Sequence, residues 1–196
     1  MTAGGEIMAQ TLAARAAAWR LAAVLLERPR PERTAEIDRL SSEVHDAALV
    51  LCARRAGSWS EASYHRLFGP GGTASPREAS YCGFEDPGHL LAALESCYRA
   101  FSFTPRREEA ADHIAVQANF VSYLFLKEAY ALRRGDAEAA ATTAAARNRF
   151  LAEHVGRSAR GMRKRMGQAP RHLLDVVTWI ARQAQPAADE ARGGGP

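Results

Sequence analysis

Disulfides, metal fingers and membrane spans are all poorly provided for in this chain. It has three cysteines, Cys52, Cys82 and Cys97. No two of them stand at CxxC spacing, and an odd number suits no disulfide framework, so a reducing cytoplasm is expected. Strand-like segments are scarce too: nowhere do Val, Ile and Thr alternate with polar residues over a strand's length. Long apolar runs are missing. The longest, Ile114 to Leu126, is too short for a bilayer and contains Gln117, Asn119 and Ser122. The opening MTAGGEIMAQTLAARAAAWRLAAVLLERPRPE fails as a secretory leader. Glu6 stands where a basic n-region is wanted, and Arg15 and Arg20 interrupt the apolar stretch. A soluble, unexported, cytoplasmic protein without membrane insertion is the expectation.

Catalytic equipment is equally thin. The six histidines are His45, His65, His89, His113, His154 and His172, and none has a second ligand at HxxxH, ExxH or CxxC spacing. His113 with Glu109 makes a lone i,i+4 pair, half a metal site at best. GPGG at 69–72 follows no strand and is part of neither GxxxxGK[ST] nor GxGxxG, so it reads as a turn rather than a phosphate cradle. No serine or cysteine nucleophile motif occurs. No enzyme activity, metal or cofactor is expected.

What the chain does have is helix. Hydrophobic content is 47% and charged content 24%, a globular balance. Alanine, the best helix former, is abundant within charged, periodic stretches. Apolar periodicity predicts helices at 6–27, 35–55, 60–67, 88–101, 109–133, 137–155 and 170–184. Pro29 and Pro31 end the first. Ser60 and Asp136 stand ready as N-caps, and Gly135 as a stop. Residues 69–88, rich in Gly, Pro and Ser, predict a long loop without regular structure, and loops of that length are often functional. The fold class is all-α: a compact helical bundle of about seven to eight helices in one domain over 1–185, with a disordered tail at 186–196.

EEAADHIAVQANF, residues 108–120, carries the densest chemistry. Neighbours on a helix point about 100° apart, so Asp112 and His113 do not form a catalytic dyad. On a helix, His113 shares a face with Val116, Gln117 and Phe120. Asp112 is either a cap near a helix N-terminus or part of a site, and the pattern leaves both open. Glu85, Asp86, Glu108, Glu109 and Asp112 cluster at one loop and two helix starts in a chain of net charge +4. If these segments meet, they form an acidic mouth beside an aromatic wall of Tyr98, Phe101, Phe103 and Phe120. Such a mouth suits a peptide bearing arginines and apolar residues. A separate basic stretch, 157–172, holds Arg157, Arg160, Arg163, Lys164, Arg165 and Arg171 without an acid. It supports an alternative reading as a module for nucleic acid or an acidic partner, although no stacking aromatics interleave it.

Four segments in order, YHRLFGPGG, SPREASY, LESCYRAFSF and EEAADHIAVQANFVSYL, resemble the TorD/DmsD/NarJ family of redox-enzyme maturation chaperones. The matching positions are Tyr64, Leu67, Phe68, Gly69 and Pro70; Pro76, Glu78 and Ser80; Tyr98 and Phe103; and Glu109, Asp112, His113 and Ile114. The family often has prolines where Ala110 and Ala111 stand, and a glycine where Ser102 stands; Ser80 lies one place late. The resemblance implies an all-helical chaperone without catalytic residues. Its partner would be the catalytic subunit of a molybdopterin-containing oxidoreductase, bound through an N-terminal, often twin-arginine, signal region. Asp112 and His113 match the pair tied to signal-peptide binding, and with them Glu109, Gln117, Phe120 and Tyr98 make the expected site. No nucleic acid is expected as partner. A homodimer formed by helix exchange is compatible with the family, and the 69–88 loop permits it.

Overall fold

The computed structural model describes residues 3–83, 86–106 and 109–185. The expected tail at 186–196 and the mouth residues Glu85 and Glu108 lie outside these. The helices are α1 (Ala3–Leu26), α2 (Arg33–Glu43), α3 (Ala47–Arg55), α4 (Glu61–Phe68), α5 (Pro87–Ala100), α6 (Ile114–Arg133), α7 (Ala137–Phe150), α8 (Gly156–Arg165) and α9 (Arg171–Gln183). A π turn, Leu151–Val155, carries α7 into α8 without a break, so the nine segments form eight rods. Among the described residues there is no strand, only an isolated antiparallel bridge between Arg77 and His113. The all-α bundle is as expected.

The core is built on α1 and α6, which lie antiparallel. Ser122 of α6 donates to the carbonyl of Ala16 (2.8 Å), Asn119 donates to Glu27 (3.0 Å), and Arg133 pairs with Glu6 at the other end (3.7 Å). From Leu21 to Leu26 every side chain of α1 is buried. A helix apolar all round belongs in the middle of a bundle. Its last carbonyls, at Val24 and Leu25, accept from the buried Arg33 guanidinium (3.0 and 3.1 Å), which closes the helix before Pro29. On the far side Trp19 meets Trp179 of α9 edge-on, with centroids 5.2 Å apart.

Four local expectations are corrected. Residues 35–55 are two helices, because Asp46 caps α3 by accepting from Ala48 and Leu49 N–H (3.0 and 3.1 Å) and takes the Trp179 indole N–H (2.7 Å). A short acidic side chain that bonds the backbone ahead of it breaks a helix and starts another. The 69–88 loop holds a 3-10 turn at Glu78–Tyr81 with Glu78 fully buried. The sixth helix begins at Ile114, not 109, and its N-cap is His113. The helix expected at 137–155 runs on to Arg165 through the π turn, drawing the start of the basic stretch into regular structure.

Candidate binding site

The 69–88 segment is stitched to the turn before α6. Ile114 N–H donates to the Pro76 carbonyl (2.8 Å) and Glu78 N–H to the Asp112 carbonyl (2.9 Å). These two bonds flank Arg77 and His113.

Asp112 points into the 3-10 turn, not along α6. It is fully buried; Oδ1 accepts from Arg77 Nε (2.8 Å) and Oδ2 from Ala79 N–H (3.2 Å). His113 turns the other way. Its Nδ1 accepts the Ala115 N–H (3.1 Å), and its Nε2 lies 3.0 Å from Tyr64 Oη and 3.5 Å from Glu109 Oε2. Burial pushes the imidazole down to about 4, so the ring is neutral. A nitrogen that accepts a backbone N–H carries no proton, so the proton is on Nε2 and faces Tyr64. Tyr64 in turn donates to Glu109 Oε1 (3.4 Å). Burial first, then the Glu109 charge, holds the Tyr64 phenol well above its usual value, and it stays protonated. The result is a directed chain, His113 to Tyr64 to Glu109. Burial also raises Glu109, against the hydrogen bonds that pull it back.

Glu109 is the point where three clefts meet. One of about 240 Å³ runs between the end of α1 and α6, lined by Arg30, Phe103, Val116, Asn119, Tyr123 and Leu126 among others. A second of about 380 Å³ lies toward Tyr98 and Glu95, and a third of about 260 Å³ toward Tyr64, Arg77 and His113; Glu109 lines all three. The carboxylates lining the first cleft are Glu27 and Glu109. Glu27 is engaged by Arg20 (2.9 Å) and Arg30 (3.2 Å). Among the described residues no guanidinium pairs with Glu109; the Arg28 charge acts on it while that guanidinium sits on Glu61.

The expected site residues are therefore neighbours with different stations. Glu109 is at the opening. Asp112, His113, Gln117, Phe120 and Tyr98 are buried behind it. Tyr98 donates to the Ala111 carbonyl (2.7 Å) and so holds the turn from below. Its ring and that of Phe120 are 4.8 Å apart, with Phe103 5.2 Å from Phe120. In the expected aromatic wall, Phe101 and Phe103 are partly exposed, and Tyr98 and Phe120 are interior. Asp86 caps α5 by accepting from Gly88 N–H (2.8 Å).

Gln117 belongs to a second cluster. It donates to Glu78 Oε2, while Glu78 Oε1 lies 3.2 Å from His154 Nδ1 and 3.5 Å from Arg157 Nε. The π turn aims His154 at this carboxylate. Tyr64, Arg77, Glu78 and His154 were not among the expected site residues. Tyr64 and Glu78 stood in the matching segments, and an acid inside a Gly- and Pro-rich loop was the available signal; nothing in the sequence marks His154. The basic stretch is partly spent: Arg157 lies on Glu78, Arg165 stacks over Tyr81 (5.6 Å), Arg171 pairs with Asp175 (2.9 Å), and Arg160, Arg163 and Lys164 face solvent. Among the described residues no three His, Cys, Asp or Glu side chains gather as metal ligands. No helix there is long and apolar enough to cross a membrane.

No curated protein matches the chain in sequence. The family model described as nitrate reductase delta subunit matches residues 31–157, from just before α2 to the start of α8, a span that contains the whole Asp112–His113 turn and both glutamate clusters. The chain thus belongs to the nitrate reductase delta subunit family, a family of molybdoenzyme maturation chaperones.

Proposed function

We propose that this chain is the cytoplasmic chaperone of one molybdopterin-containing oxidoreductase, binding the N-terminal, twin-arginine-type signal region of its catalytic subunit. It holds that region while the cofactor is inserted and the subunit folds and assembles, before export. The observation that carries the reading is the cleft between α1 and α6, with one carboxylate, Glu109, placed at its mouth and backed by Tyr64 and His113.

A signal region is disordered before it binds, so it needs a preformed surface with few fixed polar points. Phe103, Val116, Tyr123 and Leu126 offer the apolar wall. Glu109 offers the acceptor for a guanidinium. Arg20, Arg28, Arg30 and Arg106 also line the cleft, and their repulsion steers a client arginine to Glu109 and so fixes the register of the peptide. The buried members of the set act from behind. His113 orients Tyr64, Asp112 holds the 3-10 turn, Gln117 holds Glu78, and Tyr98 and Phe120 hold the floor. Binding changes no covalent bond, and the chain acts without a cofactor. The loop is pinned at Pro76 and Glu78, so helix exchange into a homodimer would break those two bonds first.

The test has two steps. The tagged chain, purified from its own cytoplasm, should carry a molybdoenzyme catalytic subunit as its main partner. Calorimetry with that subunit's N-terminal peptide should then show saturable binding that Glu109→Gln weakens about tenfold or more, the scale of one hydrogen bond to a charged group. A peptide that binds wild type and Glu109→Gln equally would remove Glu109 from the site. No saturable binding at all would sink the reading.

A further inference from the structure

A client with two adjacent arginines needs two carboxylates, and the cleft on the Tyr64 side opens on one. The second carboxylate nearby is Asp112, whose side chain has no exposure. The exposed side chain bonded to it is Arg77. Arg77 is 44% exposed along its side chain, lines the same cleft as Glu109 and His113, and ends with Nε 2.8 Å from Asp112 Oδ1. An arginine that is half-exposed in the cleft and also bonded to a buried carboxylate bridges the two.

The backbone around Arg77 is fixed by the bonds from Ile114 to Pro76 and from Glu78 to Asp112. Its side chain is held by less. The contact to Asp112 is a single Nε–H donation, not the two-pronged guanidinium grip that makes such pairs strong. The other Asp112 oxygen accepts from the Ala79 N–H, a bond in which Arg77 takes no part. The side chain can leave without moving the loop, and the charge it leaves behind selects another guanidinium to replace it, because a buried carboxylate without a cation is costly.

From this geometry we propose that Arg77 is an internal stand-in for a client arginine. It occupies the Asp112 subsite in the empty chaperone and is displaced when the second arginine of a client arrives. This rests on the proposed peptide-binding role. It makes Arg77 a brake on two-arginine clients alone: a peptide that cannot fill the vacated subsite leaves it in place. Arg77 thereby lowers the affinity for every two-arginine client, as any internal competitor does.

Two measurements test this. In the first, a synthetic twin-arginine peptide and its arginine–lysine counterpart are titrated into wild type, Arg77→Gln and Arg77→Gln/Asp112→Asn. Removing the competitor should tighten the twin-arginine peptide about fivefold or more and leave the counterpart less changed; Asp112→Asn should abolish that gain. In the second, thermal unfolding of Arg77→Ala is followed with millimolar ethylguanidinium or ethylammonium. Ethylguanidinium should raise the melting temperature of Arg77→Ala above the value with ethylammonium and do nothing for wild type. Equal or weaker twin-arginine binding by Arg77→Gln, with wild type still binding, would overturn the inference and leave the peptide reading intact. If wild type binds neither peptide, that reading fails, and the ethylguanidinium comparison still decides whether the Asp112 subsite accepts an external guanidinium. Equal responses to the two cations there would overturn it.

Discussion

Glu78 and Glu109 are both drawn in beside the Asp112–His113 turn, and they are held in opposite ways. Glu78 is fully buried, with Gln117 on one oxygen and His154 and Arg157 at the other. Glu109 is half-buried, with a tyrosine on one oxygen and a neutral histidine near the other. A buried carboxylate ringed by donors contributes to structure, since its neighbours are orphaned when it goes. A carboxylate oriented by a phenol, at a cleft and with no guanidinium paired to it among the described residues, has capacity left for a ligand. The same residue type, on two segments that meet at the same aspartate, thus divides the region into a fixed back and an open front.

The largest effect is expected at the back. Glu78→Ala takes the shared carboxylate from Gln117, His154 and Arg157, of which Arg157 keeps the Glu153 carbonyl (3.1 Å), and should cost about 3–5 kcal/mol, the penalty for breaking a buried charged cluster. Glu109→Ala should cost less than about 1 kcal/mol, as a partly exposed side chain does. Urea unfolding of both variants measures the contrast. Equal losses would erase the distinction between back and front.

The next effect depends on pH. The His113 imidazole is held at about 4 when folded and returns to 6.5 when unfolded. Between those values the unfolded chain binds the proton and the folded chain does not, so stability falls as pH drops from 6.5 toward 4. At about 1.4 kcal/mol per pH unit the ceiling is about 3 kcal/mol. His172, also lowered by burial, adds in the same direction, while Glu109, raised by burial, opposes it at the acid end. His113→Asn keeps a capping side chain and removes the titration. Its denaturation midpoint should change less over this window; an unchanged slope would place the titrating group elsewhere.

A third variant probes whether back and front are coupled. A Cβ on Gly161 of α8 would lie 2.5 Å from Cγ of Tyr81, which shares the 3-10 turn with Glu78. Gly161→Ala must push that ring away and should cost about 1–3 kcal/mol, as overpacking does. Tyr81→Ala in the same background should recover part of the loss. If client affinity falls with stability, the 3-10 turn transmits strain to the Arg77–Asp112 contact. If only stability falls, the front is independent.

How much of this was legible in sequence follows from the range of each interaction. α1, α4, α5, α7 and α9 show in local periodicity and their capping or stop residues, which act within a few positions. The break at Asp46 was not legible, because half its reason is Trp179, far along the chain. The true start of α6 was hidden for a similar reason. EEAAD has the acids of a first helical turn, but Asp112 and His113 are claimed by Arg77 and Tyr64 from upstream segments and leave the helix to begin at Ile114. The candidate site was visible as a set of names. Which of them faces the opening was not, because burial is set by α4 and the 69–88 segment folding over the turn.

The smallest effect concerns the wall of the front cleft. Ser102 has φ of 58°, in the left-handed region, and lets Phe103 N–H close on the Tyr98 carbonyl (2.9 Å) before the chain enters 103–106. A residue with a Cβ is strained there and glycine is not. Ser102→Gly should raise stability by about 0.5–1 kcal/mol, the strain relieved less the freedom glycine adds to the unfolded chain. Because the variant keeps the backbone path, Phe103 should still line the cleft and client affinity should not move. A gain in stability with unchanged binding assigns this turn to the scaffold. A loss of affinity would show that strain at Ser102 helps hold the cleft wall, and would extend the front beyond Glu109 to the end of α5.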